Sequence, residues 1–262
     1  MDTATDYVDT ESARAASGLR LVLTKGMPGP WGESAKGIFW VKRVPHLRVA
    51  QEAGGANEAL VTWTGSANAP VAMYDDEPPR SGWIDILRLA ERIAPEPALI
   101  PDDPRLRATM FGYANELCGE LGFGWSRRLM MLDKMLPPGG DPLKGEGPMQ
   151  TLGRRYGYSR EAAAKAPGRV AAILSALSAL LRDQYAAGRR FFVGDRLSAL
   201  DIYWAAFAAL VEPLPADLCP TPDYLRPLYV LDDREVRSAA DPVLLAHRDL
   251  IYEKHLELPV RL

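Results

Sequence analysis

The chain has 262 residues, 47% hydrophobic and 25% charged, with a formal net charge of −3 and a pI near 5.7. This ordinary globular composition suffices for two modest domains, and its slight acidity excludes an extended nucleic-acid surface built on phosphate neutralisation. No run approaches the roughly 18 apolar residues of a membrane span, and the start "MDTATDYVDTESARAASG" lacks a secretory signal's basic end and apolar centre, so we expect a cytoplasmic protein with neither nucleic acid nor membrane as partner.

Residues 1–18 are small and polar without a sustained period and read as an N-terminal arm, loose or peripherally docked. Residues 19–23, "LRLVL", predict a buried strand. The turn "TKGMPGPWGESAKG" follows, and from Glu33 "ESAKGIFWVKRV" predicts a helix stopped by Pro45, with Ala35, Ile38, Phe39 and Val41 apolar. "HLRVAQE" predicts a second strand, and "ALVTW" reads as strand or irregular lining. After Ala69-Pro70, "VAMYDD" predicts a short strand and "SGWIDILRLAERIAP" a helix with an apolar stripe through Ile84, Leu87 and Ile93. The proline-punctuated stretch 96–104 is a linker, which separates an α/β domain at 19–95 from an all-α domain at 105–262.

In the second half, "RLRATMFGYANELCGELGFGWSRRLMMLDKML" reads as one long helix or a kinked pair, with glycines at 112, 119, 122 and 124 as points of bending or close approach. "REAAAKAPGRVAAILSALSALLRDQYAAG" and "DPVLLAHRDLIYEKHL" are strongly helical. Ser198, three residues before Asp201, fits a capping box opening a helix apolar on nearly every face. Cys118 and Cys219 fit no disulfide framework, zinc set or Cys-x-x-Cys pair, and His46, His247 and His255 lie in no ligand pattern. No metal site is expected.

"FFVGDRLSALDIYWAA" resembles the signature of the C-terminal domain of the glutathione transferases. "ANAPVAMYDDEPPRSGWIDILRLAERI" resembles the thioredoxin-like half of the same family, with Pro70 in the place of its cis-proline and Arg80-Ser81 in the place of an acidic-Ser pair. The resemblance covers residues 19–258. It implies an α/β thioredoxin-like domain followed by an all-α domain, glutathione as co-substrate, a small apolar electrophile between the domains and a homodimer.

Site residues follow from the matched positions. Backbone groups of Ala69 and Val71 beside Pro70 would dock the cysteinyl backbone of glutathione as an added strand. Ser81, just ahead of a helix start, would meet the γ-glutamyl carboxylate. Arg80 either holds a carboxylate or lies on a surface turn, leaving Asp75, Asp76 or Glu77 to take the ligand's amine. The family's first turn carries a Tyr, Ser or Cys that hydrogen-bonds the glutathione sulfur; with "S-A-K" anchored at Ser34, Trp31 stands at that place. The amides of Gly32, Glu33 and Ser34 would then stabilise the thiolate, with the Ser34 hydroxyl either a further donor or only a helix-start cap. Trp31 either donates its indole N–H or packs as core, and Thr24 is a further candidate. Met110, Tyr113, Trp125 and Met130 are substrate-facing or core. The expected activity is conjugation or thiol-dependent cleavage; the alternative is a non-catalytic binding protein of the same fold. A thioredoxin-type redox role fails for want of a cysteine in the first turn.

Overall fold

The computed structural model describes residues 7–262, which group with their neighbours into two compact units. One comprises the chain through Ile100 together with Leu214–Asp223 and Leu250–Leu262; the other comprises Pro101–Pro213 and Tyr224–Asp249. Composition along the chain divides it once, near 96–104, whereas in space two late stretches group with the first unit. Their attachment is polar and long-range: Val260 N–H donates to Leu218 O at 2.7 Å, and Lys36 Nζ donates to Arg261 O at 2.5 Å.

The first unit opens with β1 (Tyr7–Val8) and α1 (Thr10–Ala15), capped by Asp9, whose carboxylate accepts the Ser12 N–H at 2.8 Å. Part of the expected arm is therefore structured; residues 1–6 of it lie outside the described residues. There follow β2 (Leu19–Thr24), α2 (Pro30–Val41), β3 (His46–Gln51), α3 (Glu58–Thr64), β4 (Val71–Tyr74) and α4 (Trp83–Ile93). The sheet order is β1-β3-β2-β4, with β3 parallel to β1 and β2, and β4 antiparallel to β2.

Side chains of β2 alternate across this sheet. Val22, with Val49, Val71 and Met73, builds one apolar face against Ala13 of α1 and Leu60 of α3, while α2 packs against β2 and α4. The stretch "ALVTW" is thus helical: burial of Leu60 and Trp63 on the sheet overrides the β-propensity of Val61 and Thr62. Arg20 shares that apolar face because its guanidinium donates to Gly18 O and Asp75 O, at 2.9 and 2.8 Å, and lies over the Trp63 ring.

The second unit is helical: α5 (Pro104–Cys118), α6 (Phe123–Met135), α7 (Pro148–Arg155), α8 (Arg160–Ala186), α9 (Ala199–Phe207), α10 (Arg226–Tyr229), α11 (Arg234–Ala239) and most of α12 (Pro242–His255). The expected kinked pair is α5 and α6, broken at Gly119–Gly122, where a Cβ on Gly122 would stand 2.6 Å from Glu116 O. By length and composition α8 passes for a membrane span. Its stripe of Val170, Ile173, Leu174, Leu177 and Leu181 is instead buried in the unit, where α8 packs on α6 and α11.

At the centre, every residue of α9 is buried. Its capping box is present: Asp201 Oδ2 accepts the Ser198 N–H and hydroxyl at 2.9 and 2.8 Å. Asp201 Oδ1 accepts the Phe192 N–H at 2.9 Å and faces His247 Nε2 at 2.8 Å, and Tyr185 Oη lies 3.1 Å from His247 Nδ1. The fitting tautomer has Nε2–H donating to Asp201 and Nδ1 accepting from Tyr185. Arg127 is buried alongside, donating to Leu210 O at 2.8 Å and Tyr229 O at 3.2 Å, and burial pulls its pKa down to about 10.

Candidate functional site

Strand register gathers the predicted glutathione-site residues at one end of the sheet. The parallel strands β2 and β3 finish together at Thr24 and Gln51, and α2 starts just beyond the end of β2. Val71, the first residue of antiparallel β4, pairs with Val22, so Ala69 and Pro70 lie at that same end. The chain then turns back: Ala72 N–H donates to Arg80 O at 2.8 Å and Arg80 N–H to Ala72 O at 3.0 Å, which returns Ser81 toward it. Carboxyl ends of parallel strands are where α/β folds place ligands.

The start of α2 differs from expectation. It begins at Pro30, three residues before Glu33, with Gly29 as N-cap, and its regular turns end at Val41, before Pro45, where Arg43 takes a φ of 54°. Proline at the first helical position costs no hydrogen bond, a signal that "GP" at 29–30 carried in the sequence. The Ser34 reading as a helix-start cap is corrected accordingly: Ser34 is buried one turn into the helix, and its hydroxyl donates to Trp31 O at 2.9 Å. The Glu33 amide is also taken, donating to Gly29 O at 2.9 Å. Of the three amides considered, the Gly32 amide alone precedes this first helical bond.

Trp31 sits in the first turn of α2, half-buried, and Gly32 packs closely, since a Cβ there would stand 3.3 Å from Leu23 Cδ2. The Glu33 carboxylate turns to Lys36, 2.9 Å away. Burial pushes the Glu33 carboxyl above its ordinary range, and the Lys36 charge opposes that shift. Thr24 Oγ1 donates to Gln51 Oε1 at 2.8 Å, and Gln51 Nε2 reaches Ala67 O at 3.2 Å. Gln51 thereby ties the end of β3 to the segment leading to Pro70, a role that no local pattern announced.

The Ala69–Pro70 bond is cis. Arg80 lies on the turn, with Nη2 on Glu77 Oε2 at 2.7 Å and Nη1 on Pro78 O at 3.1 Å. Arg92 also holds Glu77, and these guanidinium bonds lower the Glu77 carboxyl pKa. Asp75 is engaged as well, accepting the Gly18 N–H at 2.7 Å. Ser81 is exposed and precedes Gly82, the N-cap of α4. The Asp85 carboxylate leans over that helix start: a Cβ on Gly82 would stand 2.8 Å from its Oδ2.

The remaining predicted residues belong to the helical unit. Met110 is fully buried and Met130 nearly so, both as core. Tyr113 and Trp125 are half-buried; the Trp125 indole donates to Tyr156 O at 2.9 Å, and its ring lies 4.7 Å from that of Tyr156.

No protein-family model matches the sequence, and no curated protein matches it. Solved structures do. A glutathione S-transferase from Methylobacterium radiotolerans, in complex with glutathione sulfonate, superposes with a TM-score of 0.63 at 17% identity, over 91% of this chain and 92% of its own. A glutathione S-transferase from Methylobacillus flagellatus with glutathione bound gives 0.63 at 16% identity, over 90% of this chain and 96% of its own. The β-etherase LigF of a Sphingobium strain gives 0.61 at 18% identity, over 90% and 95%.

Proposed function

The chain has the fold of the glutathione S-transferases, and from that premise we propose that it binds glutathione and transfers its sulfur to a small hydrophobic electrophile, by conjugation or thiol-dependent cleavage. The observation that carries the reading is the convergence, at the carboxyl end of β2 and β3, of the α2 start, the strand-like backbone at Ala69–Val71 and the α4 start behind Ser81. Such a frame suits a short peptide: an extended backbone segment for its cysteine, orphan helix amides for its carboxylate, and a second helix start for its sulfur. The M. flagellatus and M. radiotolerans proteins, with glutathione and glutathione sulfonate bound, support that ligand class.

In this reading the amide of Gly32 and the dipole of α2 lower the pKa of the bound thiol. A shift of about 2 units requires roughly 2.7 kcal/mol of preferential thiolate stabilisation. Trp31 borders the sulfur, and Ser34 acts through the Trp31 carbonyl that it holds. Ser81 and the α4 start receive the γ-glutamyl carboxylate, displacing Asp85, while Arg80 contributes once it exchanges Glu77 for the ligand. Tyr113 and Trp125 offer aromatic surface to the electrophile. A cytoplasmic homodimer belongs to the same proposal.

Gly29 favours a second reading, a non-catalytic glutathione-binding protein, because the N-cap carries no hydroxyl to meet a sulfur. Calorimetric titration with glutathione, followed by ultraviolet titration of the bound thiol, separates the two. Binding with the thiol pKa lowered by a unit or more supports the transferase; binding with an ordinary thiol supports the second reading. Failure to bind at millimolar glutathione overturns both.

A further inference from the structure

On the α2 side of the sheet the first unit has a second cavity, sharing only Glu33 with the residues above, with about 370 Å³ of space including its mouth. Its walls are one face of α2 (Glu33, Lys36, Trp40), His46 and Arg48 of β3, and late residues including Leu256 and Glu257. His46 and Arg48, two apart on one strand, point to the same face. Two polar atoms there are buried without a protein partner: His46 Nε2 and Arg48 Nη1.

Their chemistry is opposite. The Nδ1 of His46 lies 3.2 Å from Val44 O, a carbonyl that can only accept, so the ring proton is on Nδ1 and Nε2 offers a lone pair. Burial lowers the His46 pKa, which keeps the imidazole neutral. Arg48 donates through Nη2 to Glu257 Oε2 at 3.0 Å, leaving Nη1 as a donor. The cavity thus presents one unused acceptor and one unused donor.

Charge decides between ligand classes. Lys36 is paired with Glu33, and Arg48 and Arg261 with Glu257. An added anion would meet two carboxylates and an added cation two basic groups, so the site favours an uncharged guest. The group that both donates and accepts is a hydroxyl, and the remaining wall is apolar, with Leu256 and the Trp40 ring, itself 49% exposed at the mouth.

We propose that this cavity is a binding site for a small uncharged hydroxyl compound of the phenol type, its hydroxyl satisfied by His46 and Arg48 and its ring lying on the wall formed by Trp40 and Leu256. The proposal does not depend on the glutathione reading.

The test is titration of the full-length protein with phenol, toluene and benzoate in turn, followed by NMR at the Trp40 indole N–H and the His46 ring. Phenol should saturate with a Kd of about 1 mM or tighter, within reach of so small a ligand, and toluene and benzoate should each bind at least about tenfold more weakly, since a site built for a hydroxyl rejects analogues lacking it. His46→Phe and, on the half-exposed wall, Trp40→Ala should each weaken phenol by about tenfold, with toluene unchanged in His46→Phe. Toluene matching phenol would show a merely apolar cavity, and benzoate binding tightest would show an anion site with charged imidazole. No saturable shift with phenol would leave a cavity for water. Each of these three results overturns the proposal, and the three-probe comparison on the unaltered protein decides even where a variant does not fold.

Discussion

Replacing Asp201 by Ala tests whether the buried network at the head of α9 holds the helical unit together. Its carboxylate serves the N–H groups of Phe192 and Ser198, the Ser198 hydroxyl and the imidazole of His247, all buried at the contact. Truncation leaves two main-chain donors and a ring N–H without partners, each costing about 1–3 kcal/mol. Allowing for non-additivity among neighbours, the expected loss is about 4–6 kcal/mol, a large part of the roughly 5–15 kcal/mol that a folded protein commands. At about 2–4 °C per kcal/mol the melting temperature should fall by roughly 10–20 °C. Ser198→Ala retains the main-chain bond and forfeits one hydroxyl, so it should cost only about 1 kcal/mol. Differential scanning fluorimetry and urea unfolding measure both. An Asp201→Ala protein melting within about 3 °C of the parent would refute the reasoning, because buried donors cannot lose their acceptor at so small a cost.

Ser34→Ala should leave the conjugation rate within about threefold, since that hydroxyl is already donated to Trp31 O, whereas Gly29→Ser should raise it by placing a hydroxyl at the N-cap; steady-state assays with a chloronitroarene would show the reverse order if Ser34 met the sulfur. A Cβ at Gly29 meets nothing within 4 Å, so the second variant folds without strain. Glu33 gives a pH signature. Its carboxyl is raised above 4.5 by burial, so the folded chain holds this proton more firmly than the unfolded one, and the stability it contributes falls as pH climbs through the raised value. Glu33→Gln should therefore flatten that part of the fall in melting temperature between about pH 4 and pH 7; an unchanged slope would contradict it. Finally, both cysteines are buried and burial pushes the Cys118 thiol up, so an aromatic disulfide reagent should find no fast-reacting thiol before denaturation and two after it.

Periodicity made much of this legible. The stripe of α4 and the capping box of α9 are local patterns, and both stand where the sequence put them. Where local preference competes with burial, the sequence misleads: α3 carries Val61, Thr62 and Trp63 yet is helical because Leu60 and Trp63 cover the sheet. At α2 the error was one of emphasis. Ser34 resembles a cap, but Pro30 fixes the first turn, which moves the N-cap to Gly29 and carries Ser34 into the helix. Neither Gln51 bridging Thr24 and Ala67 nor Glu257 reaching Arg48 leaves any local trace, since each depends on partners brought together only by the tertiary fold.

The grouping of Leu250–Leu262 with the first unit orders events during synthesis. A nascent chain that has emerged through Ile100 already contains all four strands, yet Lys36 and Arg48 still await Arg261 and Glu257. The earliest-made part of the protein is thus finished by the latest, and a clipped or masked tail would be felt at α2, more than two hundred positions upstream.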